Sequence, residues 1–322
     1  LEVSAEPSPP LCTVIICAYN SRYRIDAALR SLRAQDLDEP FEVIAVVSGN
    51  DGAAEHLADQ HPHVRIIACR HRLYPGAARN AGIRASRGAF IAFLPDDGIA
   101  EPAWLRARAA KHRLGYPLVA GAVSNATHAN IVGTAGYYVE YAASMPVQGL
   151  LERQSVPHTL SYQRAVFELL GGFPEVAYPG EDTLFNARCV AEGLEVAYEP
   201  RACIGHVNLT SFCAFLKHQA QHGRGLAHCI LEHNLDGPYN PRSGTCRMVF
   251  TALVGYPSWR WRKTLSLLTG TTSVHVMRYL VLTPIVIAGY LAGGLAALRE
   301  LWRWSPGEIE CSDLVGASRG EM

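Results

Sequence analysis

Two aspartates stand side by side where an apolar run stops, in Phe93-Leu94-Pro95-Asp96-Asp97-Gly98. Adjacent carboxylates repel unless a cation or a shared proton relieves them. Hard oxygen ligands at the mouth of a strand suit Mg2+ or Mn2+ bridging a diphosphate. The same residues are also good turn formers and helix caps, with a helix expected near Pro102. Taken alone, the motif leaves both readings open. A second acidic pair, Gly180-Glu181-Asp182, opens the helical pattern Leu184, Phe185, Ala187, Arg188, Val190. Acids there either stabilise the positive end of the helix or place a general base beside a cleft. The third signal is Gly205-His206, after Ala202-Cys203-Ile204. A lone histidine is commonly a core residue, yet a neutral imidazole beside carboxylates also ligates Mn2+.

These groups need strands to carry them to a common edge. Thr13–Ala18, Phe41–Val47, Val64–Ala68 and Phe90–Leu94 are short apolar runs of the kind that become buried parallel strands. Between them, Ile25, Ala28, Leu29 and Leu32 fall at helical spacing, and Ala53–Gln60 and Ala77–Ala85 are also helical in pattern. Such alternation predicts an α/β fold with a mostly parallel sheet flanked by helices. Ligands of such sheets bind beyond the carboxyl ends of the strands. The stretch around Gly121, Gly133, Gly171-Gly172 and Pro179-Gly180 reads as strands and loops forming a wall on the acceptor side. Ser211–His233 reads as a helix rich in His, Gln and Arg. Tyr279–Leu298 carries no charge, and as one helix it would span roughly 30 Å, about one hydrocarbon core. Arg278 and Arg299 bracket it, with Trp302 and Trp304 beyond, so membrane contact is expected there. Thr283-Pro284 and Gly293-Gly294 could break it into a buried hairpin.

Composition narrows the field. Of the 322 residues, 49% are hydrophobic and 18% charged, enough to bury a core and too few charges for general disorder. Lys plus Arg equals Asp plus Glu at 29 each, so no global field attracts nucleic acid. The nine cysteines form no CxxC pair and read as reduced, buried thiols. The first residues show no basic-then-apolar leader, so the catalytic part is expected on the cytoplasmic face of a membrane. The expected organisation is a disordered 1–10, a catalytic domain 11–235, a helical region 236–304 containing 279–298, and a disordered tail 305–322.

In chain order the motifs are Thr13–Asn20, then Phe41–Val47 with the turn Ser48-Gly49-Asn50-Asp51-Gly52, then Gly76-Ala77-Ala78-Arg79-Asn80-Ala81-Gly82. Phe93–Asp97, Gly171-Gly172-Phe173, Glu181-Asp182 and Gly205-His206 follow. This order and spacing resembles glycosyltransferase family 2, the inverting enzymes of GT-A (Rossmann-like) fold that use nucleotide-diphosphate sugars. The resemblance runs from Cys12 to Arg224, about two thirds of the chain. It implies that Ala18, Tyr19 and Asn20 surround the nucleotide base and ribose. Ser48 takes the position that often bears an aspartate to uracil, with Asp51 close behind, and Arg79 matches an arginine that contacts the nucleotide. Pro95 replaces the first of three acids. Asp97 and His206 then match metal or diphosphate ligands, and Asp96 contacts the ribose or the metal's water shell. Asp182 matches the catalytic base, with Glu181 anchoring the loop or the acceptor. Gln221-His222-Gly223-Arg224 resembles the QxxRW element of processive synthases, but Gly225 follows Arg224, favouring transfer of a single sugar.

The implied reaction moves one sugar from a nucleotide-diphosphate sugar, a UDP-sugar by preference, to the hydroxyl of a glycan, lipid-linked or small-molecule acceptor, assisted by Mg2+ or Mn2+. One displacement inverts the anomeric centre, with Asp182 taking the hydroxyl proton. The alternative is a non-catalytic, membrane-associated GT-A-like protein that binds a nucleotide sugar or a partner; Pro95 and Ser48 favour it. A nucleotidyltransferase would need a glycine-rich phosphate loop at Cys17–Ser21, and a dinucleotide-dependent oxidoreductase would need GxGxxG there. Neither pattern is present.

Overall fold

Cys12–Tyr19 forms β1, the strand about which the sheet is wound. The computed structural model describes residues 9–21, 24–146, 160–175, 180–233, 239 and 244–303. The expected tail 305–322, residues 1–8 of the expected disordered N-terminus, and the expected boundary at 235 lie outside the described residues. After β1 come α1 (Ile25–Leu32), β2 (Phe41–Ser48), α2 (Ala53–Gln60), β3 (Arg65–Cys69), α3 (Pro75–Ala85) and β4 (Phe90–Phe93). The middle contains β5 (Gly98–Ala100), α4 (Trp104–Arg113), β6 (Leu118–Asn125), α5 (Ile131–Tyr141), β7 (Leu160–Gln163), α6 (Arg164–Leu170), α7 (Glu181–Ala191) and β8 (Val196–His206). Among the described residues there follow α8 (Phe212–His233), α9 (Thr245–Phe250), a π-helical turn (Thr251–Gly255), α10 (Tyr256–Leu268), α11 (Ser273–Val281) and α12 (Thr283–Arg303).

The strands form one sheet in the order β3-β2-β1-β4-β7-β6-β8-β5. β3, β2, β1 and β4 are parallel. β7 runs antiparallel to β4 and β6, while β8 is parallel to β6 and carries β5 antiparallel on its edge. Because side chains alternate across a strand, β1 serves two cores. Val14 and Ile16 pack with Leu29 of α1, Leu57 of α2 and Trp104 of α4. Ile15 faces the other layer, with Ala78 of α3, Phe167 of α6 and Phe185 of α7. The result is a helix–sheet–helix sandwich.

The winding reverses between β1 and β4. From β1 the chain proceeds outward to β2 and β3, then returns to place β4 on the other side of β1. A crevice opens at the carboxyl ends of strands where such a reversal occurs. Asn20 and Asp96-Asp97 lie at that edge. The expected helix beyond Pro102 is α4, but its N-cap is Ala103 and makes no side-chain cap bond. Neither Asp96 nor Asp97 is therefore a cap; a turn at the two acids leads into β5 instead.

The uncharged stretch 279–298, expected as a single helix, is divided. α11 ends at Val281 and α12 starts at Thr283. Pro284 has no N–H for the carbonyl of Leu280, so the ladder restarts at that point. Gly293-Gly294 does not break α12; it lets other backbone approach. A Cβ on Gly223 of α8 would come within 2.0 Å of the Gly293 carbonyl oxygen. Gly289, Tyr290, Gly293, Gly294 and Ala297 of α12 are buried. Among the described residues, α12 is the one helix long and apolar enough to cross a membrane, with mean hydropathy 1.3 and 44% of that window buried in the protein. The eight described cysteines are all free; Cys12, Cys189 and Cys229 are buried, while Cys213 and Cys246 are exposed.

Candidate active site

The end of β1 is shaped by one left-handed residue. Asn20 has φ 47°, and its amide donates to the Ser48 carbonyl at 3.2 Å. Gly49 must be glycine beside it, because its φ is 111° and a Cβ would meet Asn20 Oδ1 at 2.1 Å. Tyr19 is exposed, with the Arg72 guanidinium 4.6 Å from its ring centroid and 4.9 Å from that of Tyr74. Ala18 is buried beneath. Ser48 is also buried, its hydroxyl donating to the Ala18 carbonyl at 3.4 Å. Asp51 Oδ1 accepts from the Ala53 amide at 3.2 Å, bracing the start of α2. Of the expected base-side residues, Tyr19 and Asn20 face outward, while the Ser48 side chain stays inside.

Across the crevice, the protein treats its two adjacent acids differently. Asp96 accepts from the Ser21 hydroxyl and from Arg24 Nη2, the latter at 3.1 Å. Burial and the charge of Asp97 still hold the Asp96 carboxyl above the usual range. Asp97 meets His206 Nε2 at 3.3 Å. Burial opposes its ionisation, but the bond to His206 and the charges of His206 and Arg24 prevail and lower its pKa. β5 and β8 create this meeting. Gly98 is in register with His206, and the Val207 amide donates to the Asp97 carbonyl at 2.9 Å.

The tautomer of His206 follows from its neighbours. Asn208 Nδ2 donates to Asn125 Oδ1, Thr127 Oγ1 and the His206 carbonyl. Its Oδ1 is thus an acceptor, and His206 Nδ1 must carry the hydrogen that reaches it at 3.0 Å. Nε2, which faces Asp97 at 3.3 Å, is then the nitrogen that would ligate a cation on giving up its own hydrogen. Asp97 and His206 fit a hard or borderline cation. Asp96, held by Ser21 and Arg24, stands beside it.

The second acidic pair is positioned by α3. Asn80 Nδ2 donates to the Phe173 carbonyl at 2.9 Å, and its Oδ1 accepts from the Phe173 amide at 2.8 Å. One side chain thereby clasps the Gly171-Gly172-Phe173 loop. The adjacent Arg79 forms an ion pair with Glu181 and lies 5.1 Å from the Phe173 ring centroid. Burial disfavours the charged guanidinium, but Glu181 and Asp182 hold its pKa above the ordinary value. Glu181 Oε2 also accepts from the Gly180 amide at 3.2 Å, and Asp182 Oδ1 from the Thr183 amide at 2.7 Å. Gly180, at φ 132°, abuts Cys229 of α8.

Tyr141, at the end of α5, unites these pieces. Its ring lies 4.6 Å from that of His206. Burial, then the charges of Glu140, Asp97 and Asp182, hold its hydroxyl well above the usual phenol range. Three carboxylates from α5, the β4–β5 turn and α7 therefore act on one phenol. Glu140 itself is pushed down to about 2: burial opposes this, but the bond to His218 and the charges of His222, His218 and His206 outweigh it.

The family described as Glycosyl transferase family 2 matches residues 13–131, from β1 through the acidic turn to the start of α5. The glycosyltransferase AglE of Haloferax volcanii is 28% identical over 224 residues, covering 67% of this chain and 73% of that protein. Residues 13–131 form a glycosyltransferase family 2 domain. A second relative of this glycosyltransferase is the pre-mycofactocin glycosyltransferase of Mycobacterium tuberculosis, 26% identical over 254 residues; the match covers 71% of this chain but only 51% of that protein. Its fold is shared with the mannosyltransferase PcManGT of Pyrobaculum calidifontis, solved in complex with GDP-Man and Mn2+. The TM-score is 0.60 at 19% identity, covering 94% of this chain and 92% of that one.

The structure of this glycosyltransferase brings Asp96, Asp97 and His206 together, and separately Arg79, Glu181 and Asp182. Arg224 is exposed on α8. Sequence reasoning missed Ser21, Arg24, Glu140, Tyr141 and His218. Only the i, i+4 spacing of His218 and His222 offered a signal. A cavity of about 430 Å3 beside β6, α5 and α11, lined by Asn125, Tyr138, His275 and Arg278, contains none of the expected site residues.

Proposed function

We propose that this chain transfers one sugar from a nucleotide-diphosphate sugar to an acceptor hydroxyl with inversion, Asp182 taking the proton. The observation that carries this reading is the Asp97–His206 pair, 3.3 Å apart, at the crevice where the winding of the sheet reverses. Tyr19 and Asn20 offer a base and ribose platform on one wall. Asp97 and the Nε2 of His206 would hold Mg2+ or Mn2+ at the other, as Mn2+ accompanies GDP-Man in the mannosyltransferase of like fold. When bound, that cation offsets the charge of the departing diphosphate. Asp182 works on the opposite reactant, accepting the proton from the acceptor oxygen as that oxygen attacks. Arg79 and Glu181 hold the start of α7, and with it Asp182, against the Phe173 loop.

The acceptor is a glycan, lipid-linked or small-molecule hydroxyl compound, and α12 supports membrane proximity through its length and mean hydropathy of 1.3. In that arrangement the crevice faces the cytoplasm. The test is a panel of UDP- and GDP-sugars with Mn2+, read as nucleoside-diphosphate release and as thermal stabilisation by the donor. Asp182→Asn should keep donor binding and lose roughly 10²–10⁴ in single-turnover transfer. Near-wild-type transfer by that variant removes Asp182 from the mechanism, and donor binding without any transfer by the wild type favours the non-catalytic alternative.

A further inference from the structure

Outside the Asp97–His206 pair, three metal-binding side chains converge where α5 meets α8. His218 and His222 are four residues apart on α8 and so share one face. Glu140 reaches them from the last turn of α5. One ligand atom from each lies within 4.8 Å of the other two. His218 Nε2 is 3.0 Å from His222 Nε2 and 3.3 Å from Glu140 Oε1. Two atoms each about 2.1 Å from a tetrahedral ion are themselves roughly 3.4 Å apart. The two distances from His218 are thus close to the edges of a coordination tetrahedron. Two histidines at i, i+4 on a helix are a recurrent zinc-binding arrangement.

Two further features suit a metal. Gln219 Nε2 donates to Glu140 Oε1 at 2.7 Å, fixing the carboxylate as outer partners of metal ligands do. His222 is exposed while Glu140 and His218 are partly buried, so an ion could enter from solvent and keep an open position there. Glu140 adjoins Tyr141, whose ring packs on His206. An ion at this point would fasten α8 to α5 beside the crevice.

We propose that Glu140, His218 and His222 form a Zn2+ site, separate from the Asp97–His206 pair, that ties α8 to the end of α5. The site does not depend on glycosyl transfer, so its test needs no activity. The metal-free full chain is titrated with Zn2+ alone by calorimetry, bound metal is counted after dialysis, and Co2+ is substituted to record its visible spectrum. The wild type should hold one Zn2+, with tetrahedral Co2+ absorption. His222→Ala removes an exposed side chain and should retain the fold by circular dichroism, yet weaken Zn2+ binding by about 100-fold or more, beyond the effect of losing an outer partner. His218→Ala should do the same, and Asp97→Ala should leave Zn2+ binding intact. No Zn2+ uptake by the wild type, wild-type affinity in both histidine variants, or loss of binding in Asp97→Ala instead would overturn the proposal.

Discussion

Replacing Glu181 with glutamine keeps the shape of the side chain and removes its charge, leaving Arg79 without the anion it is paired to. The Glu181 side chain is 6% exposed and that of Arg79 23%, so water can compensate for little of the loss. Removing one partner of a buried pair typically costs about 3–5 kcal/mol, because the surviving charge is stranded. The glutamine could still accept from the Gly180 amide, which argues for the lower end, about 3 kcal/mol. In a large domain each kcal/mol lowers the melting midpoint by roughly 2–4 °C, so the expected drop is about 6–12 °C. Asp182→Asn, which leaves the pair intact, should cost only about 1 kcal/mol. Thermal melts of both variants, together with Arg79→Met/Glu181→Met, are the assay. The double replacement fills the same space without charges and should recover most of the stability, since apolar substitutes for buried ion pairs are often neutral or better. If Glu181→Gln melts with the wild type, or no lower than Asp182→Asn does, the pair does not anchor α7 and the division of labour between the two acids is wrong.

Two further outcomes follow from the packing. His112 is buried, with Nδ1 on the Tyr116 carbonyl at 2.9 Å and Nε2 on the Ser161 hydroxyl at 2.8 Å, and burial with the Arg108 charge pushes its pKa down to about 4. The folded state therefore binds fewer protons than the unfolded one between about pH 6.5 and 4, and stability is lost as pH falls through that window, by up to about 3 kcal/mol. Urea unfolding across that range should show a steeper acid loss for the wild type than for His112→Gln, and parallel curves would refute the assignment. Gly223→Ala would add about 1 kcal/mol of helix propensity on an exposed helix. Against the Gly293 carbonyl it should instead lower stability by about 1–3 kcal/mol, and a raised melting midpoint would mean that α8 and α12 do not touch there.

Strands β1 to β4 were legible because each appears as a short apolar run, as Val43–Val47 does where β2 is buried. Asp96 and Asp97 were legible because they follow the last of those runs, and Glu181 and Asp182 because they open a helical pattern. β5 was not: Gly98–Ala100 is a strand only because it pairs with Ile204–His206, more than a hundred positions away. The division of α11 from α12 was foreshadowed by Thr283-Pro284, but hydropathy averaged over twenty residues hides a single missing N–H. Tyr141 and Glu140 lie in an ordinary helical pattern. Only the packing of α5 against β8 and α8 brings them to His206 and His218, and no local spacing encodes that meeting.

The contact between α8 and α12 has a mechanical consequence. Gly223 and Gly293 place the two helices backbone to backbone, and α8 touches the start of α7 through Cys229 and Gly180. Among the described residues, the one helix long and apolar enough to cross a membrane is therefore keyed, backbone to backbone, to the helix that carries His218 and His222. A shortened chain ending before Thr283 would bare the Phe215, Gln219 and Gly223 face of α8 to water. α12 and the start of α7 thus both meet α8, so a change in how α12 packs on α8 would displace the helix that α7 starts against.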